Sequence, residues 1–173
     1  MRVEIKLSKK WVSAALILIV TIGATASILY VKAAPKNPLP SNIKTQLAYQ
    51  AIYPSKTSQI DSTSYNYQVD RKTLSFNVKA YNNQIVFTEE PAPDNLGSDG
   101  QIYYPAIGIH PYAQFQTKLG PVALAKFWQS SSLTPIGQSG ILASQGTLLI
   151  AHSDNNLTNA EWKTLFDSLK ITR

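Results

Sequence analysis

The sequence predicts an α+β membrane protein, with an N-terminal transmembrane helix followed by an antiparallel sheet against which helices pack. Three observations predict this architecture. Residues 11–31 are uncharged and largely apolar, and about 20 such residues span a bilayer as a helix. Residues 62–88 and 140–153 form strand-like runs separated by turn residues, which is typical of antiparallel sheets. Residues 158–169 place apolar side chains at helical spacing.

Residues 1–10 form a basic tail in front of the apolar run, with Lys6, Lys9 and Lys10 closest to it. Positive charge beside a membrane segment keeps that side in the cytoplasm. We therefore expect a single-pass protein of the cell membrane, with the bilayer as partner of residues 11–31 and with its C-terminal domain extracytoplasmic. A signal peptide cleaved after Ala26 is the alternative, since Ala24-Thr25-Ala26 fits a cleavage site. The run continues to Val31, which favours the anchor.

The composition restricts the function classes. The net charge is +6, but residues 1–32 hold most of it, with five basic side chains against Glu4. The rest of the chain has no basic run or stripe, so we expect no nucleic-acid partner. The chain contains no cysteine, which excludes disulfides, thiol catalysis and cysteine metal sites.

Residues 32–41 are predicted to be a semi-rigid spacer because Pro35, Pro38 and Pro40 favour extended backbone. The extracytoplasmic domain is assigned to residues 42–173. It is expected to open with a short helix over residues 42–49, for which Ser41 is the candidate N-cap. Residues 51–54 then read as an extended segment ending at Pro54.

The first predicted strands show a two-residue period. Tyr65, Tyr67 and Val69 alternate with polar residues, and residues 70–72 form a turn. Apolar side chains alternate again over residues 74–80, a strand that a hairpin turn at Asn82-Asn83 connects to the strand 84–88. These segments predict an antiparallel meander.

Residues 89–100 are acidic and contain prolines and glycines, so we predict a solvated loop. Three of its carboxylates are candidate calcium ligands but lack the spacing of a calcium loop; they are Glu90, Asp94 and Asp99. Residues 102–116 read as short or edge strands. A turn at 119–121, a strand at 122–129 (with a helix as the alternative) and a polar loop at 130–137 follow.

Two more strands are predicted at residues 140–144 and 147–153, joined at Gln145-Gly146. The second strand is apolar on both faces and is expected to be central and covered on both sides. The C-terminal helix begins at a predicted capping box of Thr158 and Glu161, with a hydrophobic staple of Leu157 and Trp162. Its apolar face is expected to pack on the sheet; that face consists of Trp162, Leu165, Phe166 and Leu169.

We predict no catalytic, cofactor-binding or metal-binding residues. His110 and His152 are far apart and show no zinc pattern. A Ser139–His152–Asp154 set is conceivable because catalytic triads are defined by geometry and not by order, but Gly137-Gln138-Ser139-Gly140 is no nucleophile elbow. Asp154-Asn155-Asn156 lacks the glycine and glutamate of a calcium loop and is interpreted as the turn before the helix.

The order of these segments resembles a known family. The segments are LPSNIKTQLAYQAIYPS, the alternating strands that end in IVFTEEPAP, TLLIAHS, and LTNAEWKTLFDSLK. The family comprises uncharacterised membrane-anchored bacterial proteins, seen especially in small-genome candidate-phylum bacteria. Its outer domain is similar to those of anti-sigma and sporulation-linked proteins and to half-barrel lipoprotein carriers. The resemblance implies a curved antiparallel sheet with helices across one face, and it implies no site residue.

From these features we expect a non-enzymatic module that binds or senses a component of the cell envelope. The partner is either a lipid or hydrophobic ligand held under a curved sheet, or an envelope protein. An envelope hydrolase is the least favoured alternative. Six aromatic residues would suit an apolar groove, or else belong to the ordinary core; they are Tyr65, Tyr67, Tyr103, Tyr104, Phe115 and Trp128.

Overall fold

The computed structural model describes residues 38–93, 111–127 and 136–172. These residues belong to one compact unit, Asn37–Arg173. The described part is mostly β, with a seven-stranded antiparallel sheet, a two-stranded sheet and few helices. None of its helices is long and apolar enough to cross a membrane. The predicted tail 1–10, transmembrane helix 11–31 and first part of the spacer lie outside the described residues.

The strands of the large sheet run in the spatial order β2-β3-β4-β8-β7-β6-β5, and β1 pairs with β9 in the small sheet. A single 3₁₀ turn, Thr57–Gln59, follows β1 within the described part. The elements are α1 (Ser41–Lys44), β1 (Ile52–Pro54), β2 (Asn66–Gln68), β3 (Thr73–Ala80), β4 (Asn83–Pro91), β5 (Ala113–Thr117), β6 (Gly120–Phe127), β7 (Gly137–Ser144), β8 (Thr147–Ser153), α2 (Asn159–Asp167) and β9 (Leu169–Ile171).

The β3–β4 hairpin confirms the predicted alternation. Leu74, Phe76 and Val78 on β3 are buried while the residues between them are partly exposed, and β4 shows the same period. The turn lies one residue earlier than predicted. Tyr81 and Asn82 both have positive φ, the conformation of a two-residue type I′ turn that matches the twist of the strands. Asn83 is therefore the first residue of β4.

The predicted strands around residues 140–153 are also confirmed, and Gln145-Gly146 forms the turn between them with positive φ at both residues. β8 is the middle strand of the seven. Leu149 packs in the main core, while Leu148 belongs to a second apolar cluster with Ala123 and Ile141. The expected cover on both faces therefore holds for the first half of β8, whereas Ile150 and His152 are half-buried.

Helix α2 packs on one face of the sheet through Trp162 and Phe166, which lie against Gly140 of β7. The predicted capping box is present, because the Thr158 hydroxyl accepts from the Glu161 N–H and the Glu161 carboxylate accepts from the Thr158 N–H. The hydrogen bonds that the Glu161 carboxylate accepts from the Thr158 N–H and hydroxyl lower the pKa of Glu161. The helix ends at Asp167. The prediction that Leu169 lies on its apolar face is therefore wrong, because Leu169 is the first residue of β9.

Replacing Thr158 with alanine is expected to lower the free energy of unfolding by about 1 kcal/mol, because the Glu161 N–H loses its partner at the helix start. Urea unfolding followed by circular dichroism measures this loss. The matched control is Thr164→Ala in the exposed middle of α2, where alanine's helix propensity should make the change neutral or slightly stabilising. Equal losses in the two variants would contradict a specific role for the cap.

The N-terminal helix is shorter than the predicted 42–49, since α1 ends at Lys44 and follows Pro40 without a side-chain cap from Ser41. At the end of this helix, Thr45 Oγ1 donates to the carbonyls of Ser41 and Asn42. Residues 50–54 contact the two sheets. Thr147 Oγ1 donates to the Gln50 carbonyl at 2.7 Å, and β1 pairs with β9. Tertiary contacts thus override the local helical pattern.

Several predicted boundaries differ from the observed ones. The loop prediction for 89–100 is wrong at its start, because Glu89, Glu90 and Pro91 continue β4. The alternation of Tyr65, Tyr67 and Val69 yields only the short strand β2, and Val69 is 62% exposed. The turn predicted at 119–121 lies one residue earlier, since Gly120 already begins β6, which is a strand and not a helix. β5 lies at one edge of the described seven-stranded sheet, as predicted for an edge strand, and β2 lies at the other.

Candidate functional site

The register of β7 and β8 brings the three residues of the conceivable triad together. Ser139 lies directly opposite His152, so their side chains share one face of the sheet. Ser139 Oγ is 3.1 Å from His152 Nδ1, and His152 Nε2 is 3.0 Å from Asp154 Oδ1. The side chains therefore form one hydrogen-bonded chain, with a nucleophile, a base and an orienting carboxylate within the reach that covalent catalysis requires.

The carboxylate of Asp154 determines which nitrogen of His152 carries a proton. A carboxylate only accepts hydrogen bonds, so Nε2 of His152 carries the proton that Asp154 accepts. In neutral His152, Nδ1 is then the acceptor for the Ser139 hydroxyl. The nitrogen that faces Ser139 can therefore accept its proton, but the two ring nitrogens are used in the reverse of the Ser-His-Asp template, in which Nε2 faces the serine and Nδ1–H faces the aspartate.

Other features of the same site disfavour acyl-transfer chemistry. Ser139 is only 6% exposed, and it lies inside a strand that is paired on both sides, with β6 and with β8. The backbone N–H groups of β7 are thus engaged in ladders and are not free to bind an oxyanion. The Asp154 side chain is 86% exposed, so water competes for the carboxylate that would orient the imidazole.

A second polar group, Glu89, lies inside the main core although its sequence context predicts a loop. Its side chain is fully buried, and Oε1 accepts a hydrogen bond of 3.1 Å from the Ile52 N–H. Within the described part, Oε2 has no hydrogen-bond partner. One sequence signal was available: Ile85, Phe87 and Glu89 fall on the same phase of the strand period, which places Glu89 on the buried face.

Two tyrosines, Tyr49 and Tyr65, lie near Glu89. Tyr49 donates its hydroxyl proton to the Glu89 carbonyl at 2.8 Å, and that hydroxyl accepts from the Leu74 N–H at 3.2 Å. Burial, with the nearby Glu89, raises the pKa of Tyr65 to about 12. The Tyr65 hydroxyl also lacks a partner among the described residues. Burial raises the pKa of Glu89 well above its ordinary value, and the Ile52 N–H opposes this effect.

The aromatic residues proposed for an apolar groove are packed instead, where the structure describes them. Tyr65, Tyr67 and Phe115 lie against the main core, while Tyr103, Tyr104 and Trp128 lie outside the described residues. The side chains at the centre of the core are at most 1% exposed; they are Phe76, Phe87, Trp162 and Phe166. The space between the described sheet and α2 is therefore filled with side chains.

The remaining candidates form no site in the described part. Residues 38–93, 111–127 and 136–172 contain no group of three potential metal ligands. Glu90 is on β4, whereas Asp94, Asp99 and His110 lie outside the described residues. Two shallow surface clefts are present, one lined by residues 47–50 with 145–146, the other by residue 59 with 79–84.

No protein-family model, curated protein or solved structure matches this chain.

Proposed function

We propose that the chain is a single-pass membrane protein whose extracytoplasmic domain is a non-enzymatic binding or sensing module of the cell envelope. The observation that carries this proposal is the uncharged run 11–31 between a basic tail and one sheet domain. The run is long enough to span a bilayer, and the tail holds the N-terminus in the cytoplasm. The curved sheet and the bacterial family implied by the resemblance are part of the same proposal.

The packing of the domain favours a partner that docks on its surface. A hydrophobic ligand under the sheet needs an apolar cavity, and the described interior is filled by fully buried aromatic side chains. Exposed aromatic groups, by contrast, are suited to protein contacts; Tyr81 is 38% and Tyr112 is 42% exposed. We therefore place an envelope protein ahead of a lipid as the partner.

The membrane part of the proposal is tested on the full chain in cell membranes. We expect the protein to stay in the membrane pellet after alkaline carbonate extraction and to keep residues 1–26 in N-terminal mass spectrometry. Protease added outside the cytoplasmic membrane should degrade the domain. A mature N-terminus at Ser27 would contradict the anchor, and a protease-protected domain would contradict the orientation.

The binding part is tested with a photo-crosslinking amino acid at position 81 or 112, in cells that naturally contain the protein. The matched control carries the same group at Asn159, on the exposed side of α2. A discrete protein adduct at 81 or 112 but not at 159 supports the proposal. Lipid found specifically in the same purified samples would favour the hydrophobic ligand instead, and neither a protein nor a lipid would contradict a binding role.

A hydrolase is the second candidate, favoured by the hydrogen-bonded chain of Ser139, His152 and Asp154. A fluorophosphonate probe labels activated serines, and we expect no labelling of the full chain, because Ser139 is buried and the N–H groups of its own strand are engaged in ladders. Labelling that disappears in Ser139→Ala and His152→Ala but persists in Ser144→Ala would establish a nucleophile. Such a result would overturn the non-enzymatic proposal.

A further inference from the structure

Glu89 joins the start of the domain to the large sheet. Its side chain binds the Ile52 N–H of β1, and its backbone carbonyl accepts from the Tyr49 hydroxyl. Among hydrogen bonds between described residues, residues 49–54 are otherwise held to the large sheet by Tyr49 with Leu74 and by Thr147 with Gln50. One strand position thus supplies two of the contacts that hold this segment.

Residues 49–54 also form hydrogen bonds with the C-terminal strand and the residue after it. β1 pairs with β9 over three residues on each side, and Ala51 exchanges hydrogen bonds with Thr172. β1 and β9 form a separate two-stranded sheet. They can therefore leave the large sheet together without breaking a ladder of its seven strands.

The Glu89 carboxyl group can be accommodated only when it is neutral. It is fully buried with one oxygen unpaired, and an isolated carboxylate in such a place is strongly unfavourable. The titratable groups of the described part that act on this region are tyrosines and a second acid, namely Tyr49, Tyr53, Tyr65, Tyr67 and Glu90. On β9, the charged residue Lys170 is exposed to solvent. No described cation compensates a charge on Glu89.

We propose that Glu89 is a proton-controlled latch: its neutral form holds residues 49–54 on the large sheet, and loss of its proton releases this segment together with β9. The carboxyl group is fully buried and binds the Ile52 N–H, so the ionised group reaches water when the segment that carries Ile52 moves. The latch involves residues of the sheet domain alone, so it does not depend on whether residues 11–31 anchor the chain. It makes the pH of the solution around the domain a signal to which the domain responds.

The direction of the pH effect follows from the raised pKa of Glu89. Above the ordinary glutamate pKa, about 4.3, the unfolded chain loses this proton while the folded chain keeps it. The contribution of Glu89 to stability is therefore fully present at lower pH and declines as pH rises towards the folded-state pKa. Asp61 and Glu161 act in the opposite direction, since hydrogen bonds lower their pKa values.

Replacing Glu89 with glutamine is expected to stabilise the domain above this pH, because glutamine keeps the acceptor for the Ile52 N–H and never ionises. The gain over the natural chain should grow up to about tenfold in the unfolding equilibrium constant per pH unit. Urea unfolding of the full chain in detergent at several pH values measures it. Glu90→Gln is the matched control, since Glu90 is the partly exposed next residue of β4. A pH-independent difference between Glu89→Gln and the natural chain would contradict the raised pKa.

Amide hydrogen exchange of the full chain distinguishes a latch from general unfolding. After correction for intrinsic exchange rates, we expect exchange at Ile52 and in β9 to rise with pH, and to do so much less in Glu89→Gln. These amides should exchange faster than those of β3 and β4 and should depend less on urea, because release of β1 and β9 exposes less surface than unfolding of the whole domain. Exchange of β1 at the same rate and with the same urea dependence as β3 would overturn the latch.

A direct titration covers the case in which Glu89→Gln fails to fold. The ¹³C shift of the Glu89 carboxyl group in the natural chain should titrate well above the ordinary range, together with the amide shifts of residues 51–53. A titration near pH 4.3, or one that leaves β1 amide shifts unchanged, would overturn the proposal.

Discussion

Replacing Trp162 with alanine is expected to lower the free energy of unfolding by about 3–5 kcal/mol, the usual cost of deleting a large buried aromatic side chain. Trp162 is fully buried, and its ring centroid lies 6.0 Å from that of Phe166. Its Nε1–H donates to Gln138 Oε1 at 3.0 Å. The change therefore opens a cavity at the contact between α2 and β7 and removes a hydrogen bond as well.

Urea unfolding followed by far-ultraviolet circular dichroism measures this effect without relying on tryptophan fluorescence. Lys163→Ala is the matched control, because Lys163 is the next residue of α2 and half its side chain is exposed. Trp162→Phe should fall between the two, since it retains much of the apolar surface but not the bond to Gln138. Domains are typically stable by about 5–15 kcal/mol. A loss below about 1 kcal/mol in Trp162→Ala would be a small part of that total and would contradict a central role of this side chain in the core.

The parts of the fold that the sequence predicts are those determined by neighbouring residues. The alternation of Leu74, Phe76 and Val78 identifies β3 because each of these side chains must reach the same face. The cap formed by Thr158 and Glu161 is equally local. Both features are confirmed, since their residue patterns need no distant partner to be favourable.

The parts that the sequence misses depend on pairing between distant segments. Glu89 and Pro91 read as loop residues, yet they pair with Leu149 and Thr147 of β8, which extends the strand. The sequence does not predict β9, because Leu169 continues the helical spacing of α2. Pairing with β1, where Leu169 lies opposite Pro54, makes this segment a strand. The predicted helix 42–49 fails for the same reason, since residues 49–52 bind β4, β8 and the chain after β9.

The candidate site shows the same division. Ser139, His152 and Asp154 are conceivable partners from the sequence because triads are defined by geometry and not by order, but only the β7–β8 register places Ser139 opposite His152. The same register explains their contact without catalysis, because any two residues so paired have adjacent side chains. Ser139 is buried and lies in a paired strand, and the Asp154 carboxylate is exposed. These features distinguish this group of hydrogen-bonded side chains from an active site.

Replacing Gly140 with alanine is expected to cost about 1–3 kcal/mol, the usual range for overpacking a core. A Cβ at this position would overlap the edge of the Phe166 ring and would approach Trp162 Cε3 to 3.4 Å. The ring has little freedom to move, since Phe115 lies against it with centroids 6.2 Å apart and Trp162 lies on another side. The added methyl group would therefore push α2 away from β7.

A double variant tests whether this overlap is the cause. Phe166→Leu shortens the side chain that the new methyl group meets, so Gly140→Ala should cost less in that background than in the natural chain. Gly137→Ala supplies the contrast, because its Cβ would meet the backbone carbonyl of Ser153, and no side-chain truncation relieves that contact. Strictly additive losses for Gly140→Ala and Phe166→Leu in urea unfolding would show that the close approach of α2 to β7 is not what requires glycine at this position.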